Sequence, residues 1–475
     1  MKHKTLLGSS YLNFVAWLVP AAFTLITPIL FMRDLGLEGY GKYSLLISIA
    51  LFFTIADLSM DAFLIPRIAR EKTRRDLVIL QSRRFFALAA LLVFILSSLF
   101  FYAARTLDFF KLGFLTHLQL LLIAMFTASQ LLVTSSYVEA SGSGNLNSYN
   151  VRTLFFNSGN VLAIFLIHFA GFLTVETLLL FKIITNFLIS GGSIIAGAID
   201  RKISGYKPFI DAEAFAFMRV ALLGKCISIA AFNFDKIIIA TYLTVRDVGI
   251  VSYPMQLGLA IFMGASKLCV PLQPFAANED AFARSGGMDS TVKSLIDILV
   301  LYVGILVLLV ALWVPNLVPL VYDGAVDESE VSFQFAAILV GFWLISLSAI
   351  AANILPSWNR MDLNVFSATV RSFILMVVMF LAIHDLGILA VGLALIAAGI
   401  WEMYFLVWFL LSNDLKASCR RALTCQGFII ALLIVLIPAK YLILKQDFIY
   451  SSAISLMLLI VLIYSPLKAV LHSKE

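Results

Sequence analysis

Residues 388–411 read ILAVGLALIAAGIWEMYFLVWFLL, a run of apolar residues with a single charged side chain, that of Glu402. A stretch of about twenty mostly apolar residues is long enough to cross the hydrocarbon core of a bilayer as a helix. Within the bilayer every backbone N–H and C=O group must be satisfied inside the protein, which a helix achieves by itself. The run therefore predicts a membrane-spanning helix, and similar runs recur along the chain.

The composition of the whole chain agrees with this interpretation. Of its 475 residues, 61% are hydrophobic and 13% are charged, whereas soluble domains have about 45–50% apolar and about 25% charged residues. No basic stretch interleaved with aromatic residues predicts nucleic-acid binding. The cysteines, Cys226, Cys269, Cys419 and Cys425, lack the CxxC spacing and nearby histidine of a zinc site, so we predict neither a metal site nor a disulfide framework.

The apolar runs together predict an all-α polytopic membrane protein with about fourteen transmembrane helices. The first run is interpreted as a retained span rather than a signal peptide, because no small-residue cleavage site follows it. The run Val370–Ile383 is short, and we expect its helix to start upstream, near Leu363. The candidate spans are Leu12–Met32, Tyr43–Pro66, Phe85–Tyr102, Leu115–Tyr137, Leu154–Phe172, Val175–Ile199, Val220–Leu243, Val248–Val270, Leu295–Leu317, Ser332–Leu355, Val370–Ile383, Ile388–Leu411, Phe428–Leu444 and Tyr450–Ser465.

The positive charges predict the orientation of these spans. Most of the 34 lysine and arginine residues fall between spans on the side that holds the N-terminus. Because cytoplasmic loops carry the excess of these residues, we expect both termini to lie in the cytoplasm. The basic segment 67–84 is the main determinant of this topology and would lie against anionic lipid head groups.

An internal repeat predicts how the spans are organised. Arg33–Tyr40 reads RDLGLEGY and Arg246–Tyr253 reads RDVGIVSY; each follows an odd-numbered span, on the external side. Glycine permits a tight turn and tyrosine anchors at the interface. Because an even number of spans separates the copies, the halves share one orientation, which predicts two six-helix lobes related by a pseudo-two-fold axis along the membrane normal. We predict lobes at residues 1–217 and 218–414, and an additional two-helix segment at 415–475.

Three stretches carry a resemblance to a known family. They are RDLGLEGYGKYSLL from Arg33, DLSMDAFLIPRIAR from Asp57, and NFDKIIIATYLTVRDVGIVSYPMQL from Asn233. They resemble the Wzx-type polysaccharide repeat-unit flippases of the multidrug/oligosaccharidyl-lipid/polysaccharide (MOP) exporter superfamily. The first stretch matches the pattern R-x-L-G-x-x-x-[FY]-G, and the third resembles the N-x-D-[KR] segment. In the second, Ser59 replaces the usual glycine, so that element departs from the pattern.

The resemblance implies a MATE-like pair of six-helix lobes around a central cationic cavity that opens alternately to each side. It implies a substrate, a polyprenyl-pyrophosphate-linked oligosaccharide moved from the cytoplasmic to the outer leaflet of a bacterial inner membrane. The product would feed O-antigen, capsule or exopolysaccharide synthesis, with a polysaccharide polymerase and chain-length machinery as partners. We expect no catalytic residues and no cofactor; coupling to a proton or sodium gradient stays open.

Charged residues inside spans are the candidate site, because each costs at least about 2.5–3.5 kcal/mol on insertion scales and usually faces a cavity or a partner. Lys225 and Lys236 are eleven residues apart on the seventh span, which places them on one helix face about 16 Å apart in height. Such a cationic stripe suits a diphosphate in transit. Lys267 and Arg67 complete the predicted cationic cavity. Snorkelling of Lys225 to the cytoplasmic surface and pairing of Lys236 with a carboxylate are the alternatives.

The acidic and amide residues of the spans have open roles. Asp57 and Asp61, spaced i and i+4, would share a face of the second span. They could bind a coupling cation, pair with Lys236 or Lys267 across the lobe interface, or neutralise Arg67. Asp235 is a further coupling or ion-pair candidate, expected to point about 100° away from Lys236. Sugar hydroxyls could be contacted by four amide side chains, although helix–helix contacts explain these equally well; the four are Asn233, Asn157, Asn160 and Gln130.

Three other functions remain alternatives. A cation-coupled multidrug exporter or a peptidoglycan-precursor flippase of the same superfamily would share the fold. A membrane glycosyltransferase or polymerase would need a sizeable external loop with catalytic side chains, and none is predicted. An ATP-driven pump is disfavoured, because Gly224-Lys225 lacks the first glycine and the Ser/Thr of a phosphate-binding loop.

Overall fold

The computed structural model describes residues 3–412 apart from 59, 71–74, 109–112, 114, 144–145, 191–211, 270–286 and 359. All regular secondary structure in these residues is helical, so the predicted all-α fold class is confirmed. The α-helices, numbered here in chain order, are α1 His3–Phe52, α2 Met60–Arg70, α3 Arg75–Thr106, α4 His117–Ser143, α5 Leu146–Phe169, α6 Val175–Ser190, α7 Ala212–Tyr242, α8 Val245–Cys269, α9 Gly287–Asp297, α10 Gly304–Tyr322, α11 Glu328–Ser346, α12 Ala349–Ile354, α13 Met361–Leu386 and α14 Leu389–Ser412.

The described helices include eight segments long and apolar enough to cross a membrane. They are Ile26–Asp57, Arg75–Thr106, His117–Ser143, Val151–Phe169, Val245–Cys269, Val331–Ile354, Met361–Leu386 and Leu389–Ser412. The span predicted at Val370–Ile383 begins at Met361, in agreement with the expected upstream start. The last two predicted spans, and with them the segment 415–475, lie outside the described residues.

Large apolar side chains that face outward support insertion in a bilayer. On α3, Leu88, Leu91, Ile95 and Leu99 are exposed, and Phe155 is exposed on α5. A soluble monomer rarely presents contiguous apolar patches of this kind. A bilayer accepts such a surface, since its acyl chains are as apolar as these side chains.

The predicted second span, Tyr43–Pro66, is not one continuous helix. The chain leaves α1 at Phe52, passes through a 3₁₀ turn, Phe53–Asp57, and turns at Leu58, whose φ of 53° is left-handed. Helix α2 then starts at Met60. The prediction that Asp57 and Asp61 share one helix face is therefore wrong, because the i, i+4 relation requires unbroken helical backbone between them.

The chain divides into two compact units. The N-terminal unit comprises Val15–Tyr253 and Met361–Met376, and the C-terminal unit comprises Met1–Phe14, Pro254–Arg360 and Val377–Glu475. The sequence-based division at residues 217 and 414 stays a prediction. In the N-terminal unit, helices α2, α3 and α4 enclose a core of buried residues; these include Met60, Leu64, Ile68, Val78, Phe86 and Val138.

Glycines allow close helix packing in the C-terminal unit. A Cβ atom added at Gly341 of α11 would lie 2.5 Å from the Leu395 Cβ of α14, and one added at Gly399 would lie 2.5 Å from the Leu344 Cβ. Small residues at such positions bring helix backbones together and maximise van der Waals contact, which drives helix association in membranes.

The two copies of the sequence repeat meet in the N-terminal unit. A Cβ atom at Gly41 would lie 2.0 Å from the Val245 carbonyl oxygen, and one at Gly249 would lie 2.2 Å from the Leu37 carbonyl oxygen. Only glycine permits this backbone approach between α1 and α8. The turn expected at both repeat glycines exists at Gly36, whose φ is 69°, but Gly249 lies inside α8 and serves the crossing instead.

The acidic residues of the two repeat copies also differ in their contacts. Asp247 accepts hydrogen bonds from the Thr244 backbone N–H at 3.0 Å and from the Thr244 hydroxyl at 2.6 Å, next to the first residue of α8. Asp34 instead accepts from the Nδ1 atom of His168, at the end of α5, at 2.7 Å. Equivalent positions of the repeat therefore have different roles: Asp247 stabilises the start of α8, whereas Asp34 connects α1 to α5.

Candidate functional site

A lysine of helix α7 forms an ion pair with the 3₁₀ turn that follows α1. The Lys225 ammonium contacts Oδ2 of Asp57, the last residue of the 3₁₀ turn. The Asp57 side chain is 2% exposed and that of Lys225 is 25% exposed, so the carboxylate is enclosed while the lysine side chain is only partly buried. A buried carboxylate of this kind needs its cation, because an uncompensated charge in an apolar interior is costly.

A second charged pair lies further along the same helix. The Lys236 Nζ is 3.7 Å from Oδ1 of Asp235, with the two side chains 11% and 1% exposed. Neither carboxylate oxygen of Asp235 receives a hydrogen bond within the described part of the chain. The two neighbouring side chains therefore pair loosely at their ends, while the expected angle of about 100° between their directions stays a prediction. Asn233 donates to the Ile229 carbonyl oxygen at 3.0 Å.

Helix α7 is continuous from Ala212 to Tyr242, so Lys225 and Lys236 stand about 16 Å apart along one helix. Together the two pairs place two lysines and two carboxylates in the N-terminal unit. Lysine binds phosphate as a point charge without rigid geometry, which permits release as well as capture. The arrangement can bind an anion that competes with the carboxylates.

A further buried cation lies on a helix that packs against α7. The Ser372 hydroxyl of α13 is 3.3 Å from the Ile227 carbonyl oxygen, and a Cβ at Gly224 would lie 2.8 Å from the Val365 side chain. Arg371, next to Ser372, is buried. A helix that starts near Leu363, as expected from the sequence, already contains Arg371. A helix start at Met361 moves it ten residues into α13, and the acidic Asp362 in the first turn was the available signal.

The remaining predicted cations are dispersed. The Arg67 guanidinium carbon lies 5.4 Å from the centroid of the Phe63 ring on α2, a cation–π contact one turn apart. Lys267 lies in the last turn of α8, in a part of that helix that belongs to the C-terminal unit. Asp61 lies in the first turn of α2, where its negative charge complements the positive end of the helix dipole.

The amide candidates for sugar contacts lie on α4 and α5. Asn157 and Asn160 are partly buried on α5, and Gln130 is partly buried on α4. The Asn160 side-chain carbonyl oxygen is buried and accepts no hydrogen bond from the described residues. Among the polar contacts between α4 and α6, the amide of Asn186 donates to the Ser129 hydroxyl at 2.8 Å.

Lys182 on α6 is a partly buried cation of a different kind. Its Nζ lies 5.5 Å from the Tyr43 ring centroid and 5.8 Å from the Phe126 ring centroid. Aromatic faces attract a cation through their quadrupole. Among the described residues no carboxylate pairs with Lys182, and no group of three or more His, Cys, Asp or Glu residues could hold a metal ion.

The fold of the chain is similar to that of several solved transporters. A lipid II flippase MurJ in an inward closed conformation superposes with a TM-score of 0.64 at 14% identity, covering 97% of this chain and all of that one. The inward-facing conformation of a multidrug resistance MATE family transporter of the MOP superfamily gives 0.66 at 11% identity, covering 85% of this chain and 99% of that one.

The chain has the fold of these solved transporters. The MATE multidrug transporter DinF-BH adds a TM-score of 0.62 at 15% identity, with 87% of this chain and 96% of that one covered. No family model and no curated protein sequence matches the chain. The MOP fold confirms the predicted fold class, while identities this low show the fold alone.

Proposed function

We propose that this protein is a flippase that moves polyprenyl-pyrophosphate-linked oligosaccharide repeat units from the cytoplasmic to the outer leaflet of a bacterial inner membrane. The observation that carries the proposal is the pair of lysines on α7, each beside a carboxylate and about 16 Å apart along one helix. Cations at two depths give a diphosphate successive binding positions during transit. The protein acts as a transporter and not as an enzyme.

The sequence resemblance and the fold support the same proposal. The stretches from Arg33, Asp57 and Asn233 resemble Wzx-type flippases, and the structure resembles a lipid II flippase over 97% of this chain. In our proposal both termini lie in the cytoplasm, alternating access exposes the lysines to each side, and a polysaccharide polymerase receives the product.

A cation-coupled multidrug exporter is the second candidate, favoured by the likeness to MATE transporters. A cationic drug needs an accessible acidic site. The two carboxylates on or beside α7 are 1–2% exposed and each is paired with lysine, so the more accessible charge is positive. This favours an anionic substrate, and a peptidoglycan precursor is an outcome that the experiment below distinguishes.

The test is complementation in the bacterial host after deletion of the gene. We expect loss of surface polysaccharide, with lipid-linked repeat units trapped on the cytoplasmic leaflet, and rescue by the wild type. Lys236→Ala and the charge-neutral pair Asp235→Asn/Lys236→Ala, each compared at wild-type protein level in the membrane, should fail to rescue. Lys236→Arg should restore at least part of the polymer, because the charge is retained. Lys42→Ala is the matched control: Lys42 pairs with Glu38 at 2.7 Å and is one-third exposed.

Three results would contradict the proposal. Normal polymer with heightened drug sensitivity would favour the multidrug exporter. Lysis with accumulated peptidoglycan precursor would favour a precursor flippase. Full rescue by Lys236→Ala at normal protein level would remove Lys236 from the transport path.

A further inference from the structure

We infer that Asp57 is an internal counter-ion that occupies Lys225 in the empty transporter and is displaced by the substrate's diphosphate. This inference rests on the proposed function and adds a specificity-determining residue to it. The ion pair makes the site selective for anions, since a ligand must carry more negative charge than a single carboxylate to displace Asp57 from Lys225.

The unequal exposure of the two partners carries the first step. Asp57 is 2% exposed, whereas Lys225 is 25% exposed. A ligand that approaches the pair therefore meets the lysine side chain before it meets the carboxylate. An ammonium has three donors, and within the described residues Asp57 is its one acidic partner. Because the ammonium has donors beyond the one that meets Asp57 and its side chain is only partly buried, it can bind a phosphate oxygen while Asp57 is still bound.

The backbone around Asp57 carries the second step. Asp57 ends a 3₁₀ turn and is followed by Leu58 in a left-handed conformation, whereas Lys225 lies inside the continuous helix α7. A side chain at the junction of two helices can shift with loss of fewer backbone hydrogen bonds than one in a helix interior. The carboxylate is therefore the partner that moves, and the lysine stays in place for the ligand.

Competition sets the energetics of the exchange. A carboxylate carries one negative charge and a diphosphate carries more, so the diphosphate gains more from the same ammonium at equal distance. The exchange proceeds when this gain exceeds the cost of separating the buried Asp57 carboxylate from its cation. While Asp57 holds Lys225, only the fraction of protein with a free lysine binds an anion, and apparent affinity falls by that fraction. Removing the charge of Asp57 should therefore tighten anion binding, the opposite of the effect expected from a purely structural carboxylate.

The test measures binding of inorganic pyrophosphate to the full-length purified protein in nanodiscs by calorimetry. We expect Asp57→Asn to bind pyrophosphate about tenfold more tightly than wild type. Lys225→Ala should weaken binding, and Asp57→Asn/Lys225→Ala should show no tightening. Asp57→Glu keeps a competing carboxylate and should stay near wild type. Glu139→Gln is the matched control, because Glu139 pairs with Arg83 elsewhere in the unit.

The outcomes separate this inference from the proposed function. If wild type binds pyrophosphate and Asp57→Asn binds it with equal or lower affinity, the counter-ion role is overturned and the flippase proposal is left intact. Tightening that persists in Asp57→Asn/Lys225→Ala would also overturn it, since Lys225 would not be the freed group. Absence of binding in every variant, Asp57→Asn included, would overturn both the counter-ion role and the diphosphate site.

Discussion

Replacement of Gly41 by alanine tests the contact between the two repeat copies. The added Cβ would lie 2.0 Å from the Val245 carbonyl oxygen and 3.0 Å from the Gly249 backbone nitrogen. Both are backbone atoms, so relief requires α1 and α8 to separate by more than an ångström. Overpacking of this kind costs about 1–3 kcal/mol, which exceeds the gain of up to about 1 kcal/mol from replacing a helical glycine by alanine.

Gly159→Ala on α5 is the matched control, because nothing lies within 4 Å of its added Cβ. We expect Gly159→Ala to be neutral or stabilising and Gly41→Ala to lower the free energy of unfolding. The assay is SDS-induced unfolding in mixed micelles, followed by tryptophan fluorescence. Gly249→Ala should behave like Gly41→Ala, and the double variant should cost less than the sum, since one separation relieves both clashes.

Equal free energies of unfolding for Gly41→Ala and Gly159→Ala would refute the close contact between α1 and α8. Strict additivity of Gly41→Ala and Gly249→Ala would also contradict it, because two residues at one contact are expected to couple.

Three further predictions concern local geometry and charge. Lys236→Ala should lower the free energy of unfolding by about 3–5 kcal/mol, because it leaves the Asp235 charge uncompensated. The double variant Asp235→Asn/Lys236→Ala should recover part of this loss in the same unfolding assay. Equal losses in the single and double variants would show that the two residues are not coupled. Gly36→Ala should cost about 1–3 kcal/mol, because φ 69° and ψ 172° form a backbone conformation essentially restricted to glycine; an unchanged unfolding midpoint would contradict the kink at Gly36. Arg83→Lys should lose stability relative to wild type, because it cannot reproduce the two bonds of 3.0 and 2.6 Å to Glu139; a wild-type midpoint would contradict that bidentate contact.

The helical membrane fold follows from the sequence because a bilayer imposes a length on each apolar run. The run from Ile388 to Leu411 corresponds closely to α14, Leu389–Ser412. The apolar run at Val370 is too short for a span, and this length alone predicts the upstream helix start that the structure has at Met361. Side-chain charge alone cannot distinguish a buried arginine from an arginine in a basic loop.

The site could be predicted only by residue type. Lysines inside a span indicate a site because of their cost, but the partner of Lys225 is 168 residues away, a separation that no local pattern reveals. The break at Leu58 contains neither glycine nor proline at the turning residue, so an apolar run read as one helix hides it. Gly36 and Gly249 occupy equivalent repeat positions, yet one serves a turn and the other a helix crossing.

The central claim is that the lysines of α7 move a diphosphate-linked lipid across the membrane. The most direct measurement is flipping of a fluorescent polyprenyl-pyrophosphate-linked oligosaccharide in proteoliposomes, followed by quenching with membrane-impermeant dithionite. We predict that wild type increases the quenchable fraction and that Lys225→Ala/Lys236→Ala reduces it to the level of protein-free liposomes. Equal flipping by the double variant and wild type would contradict the account.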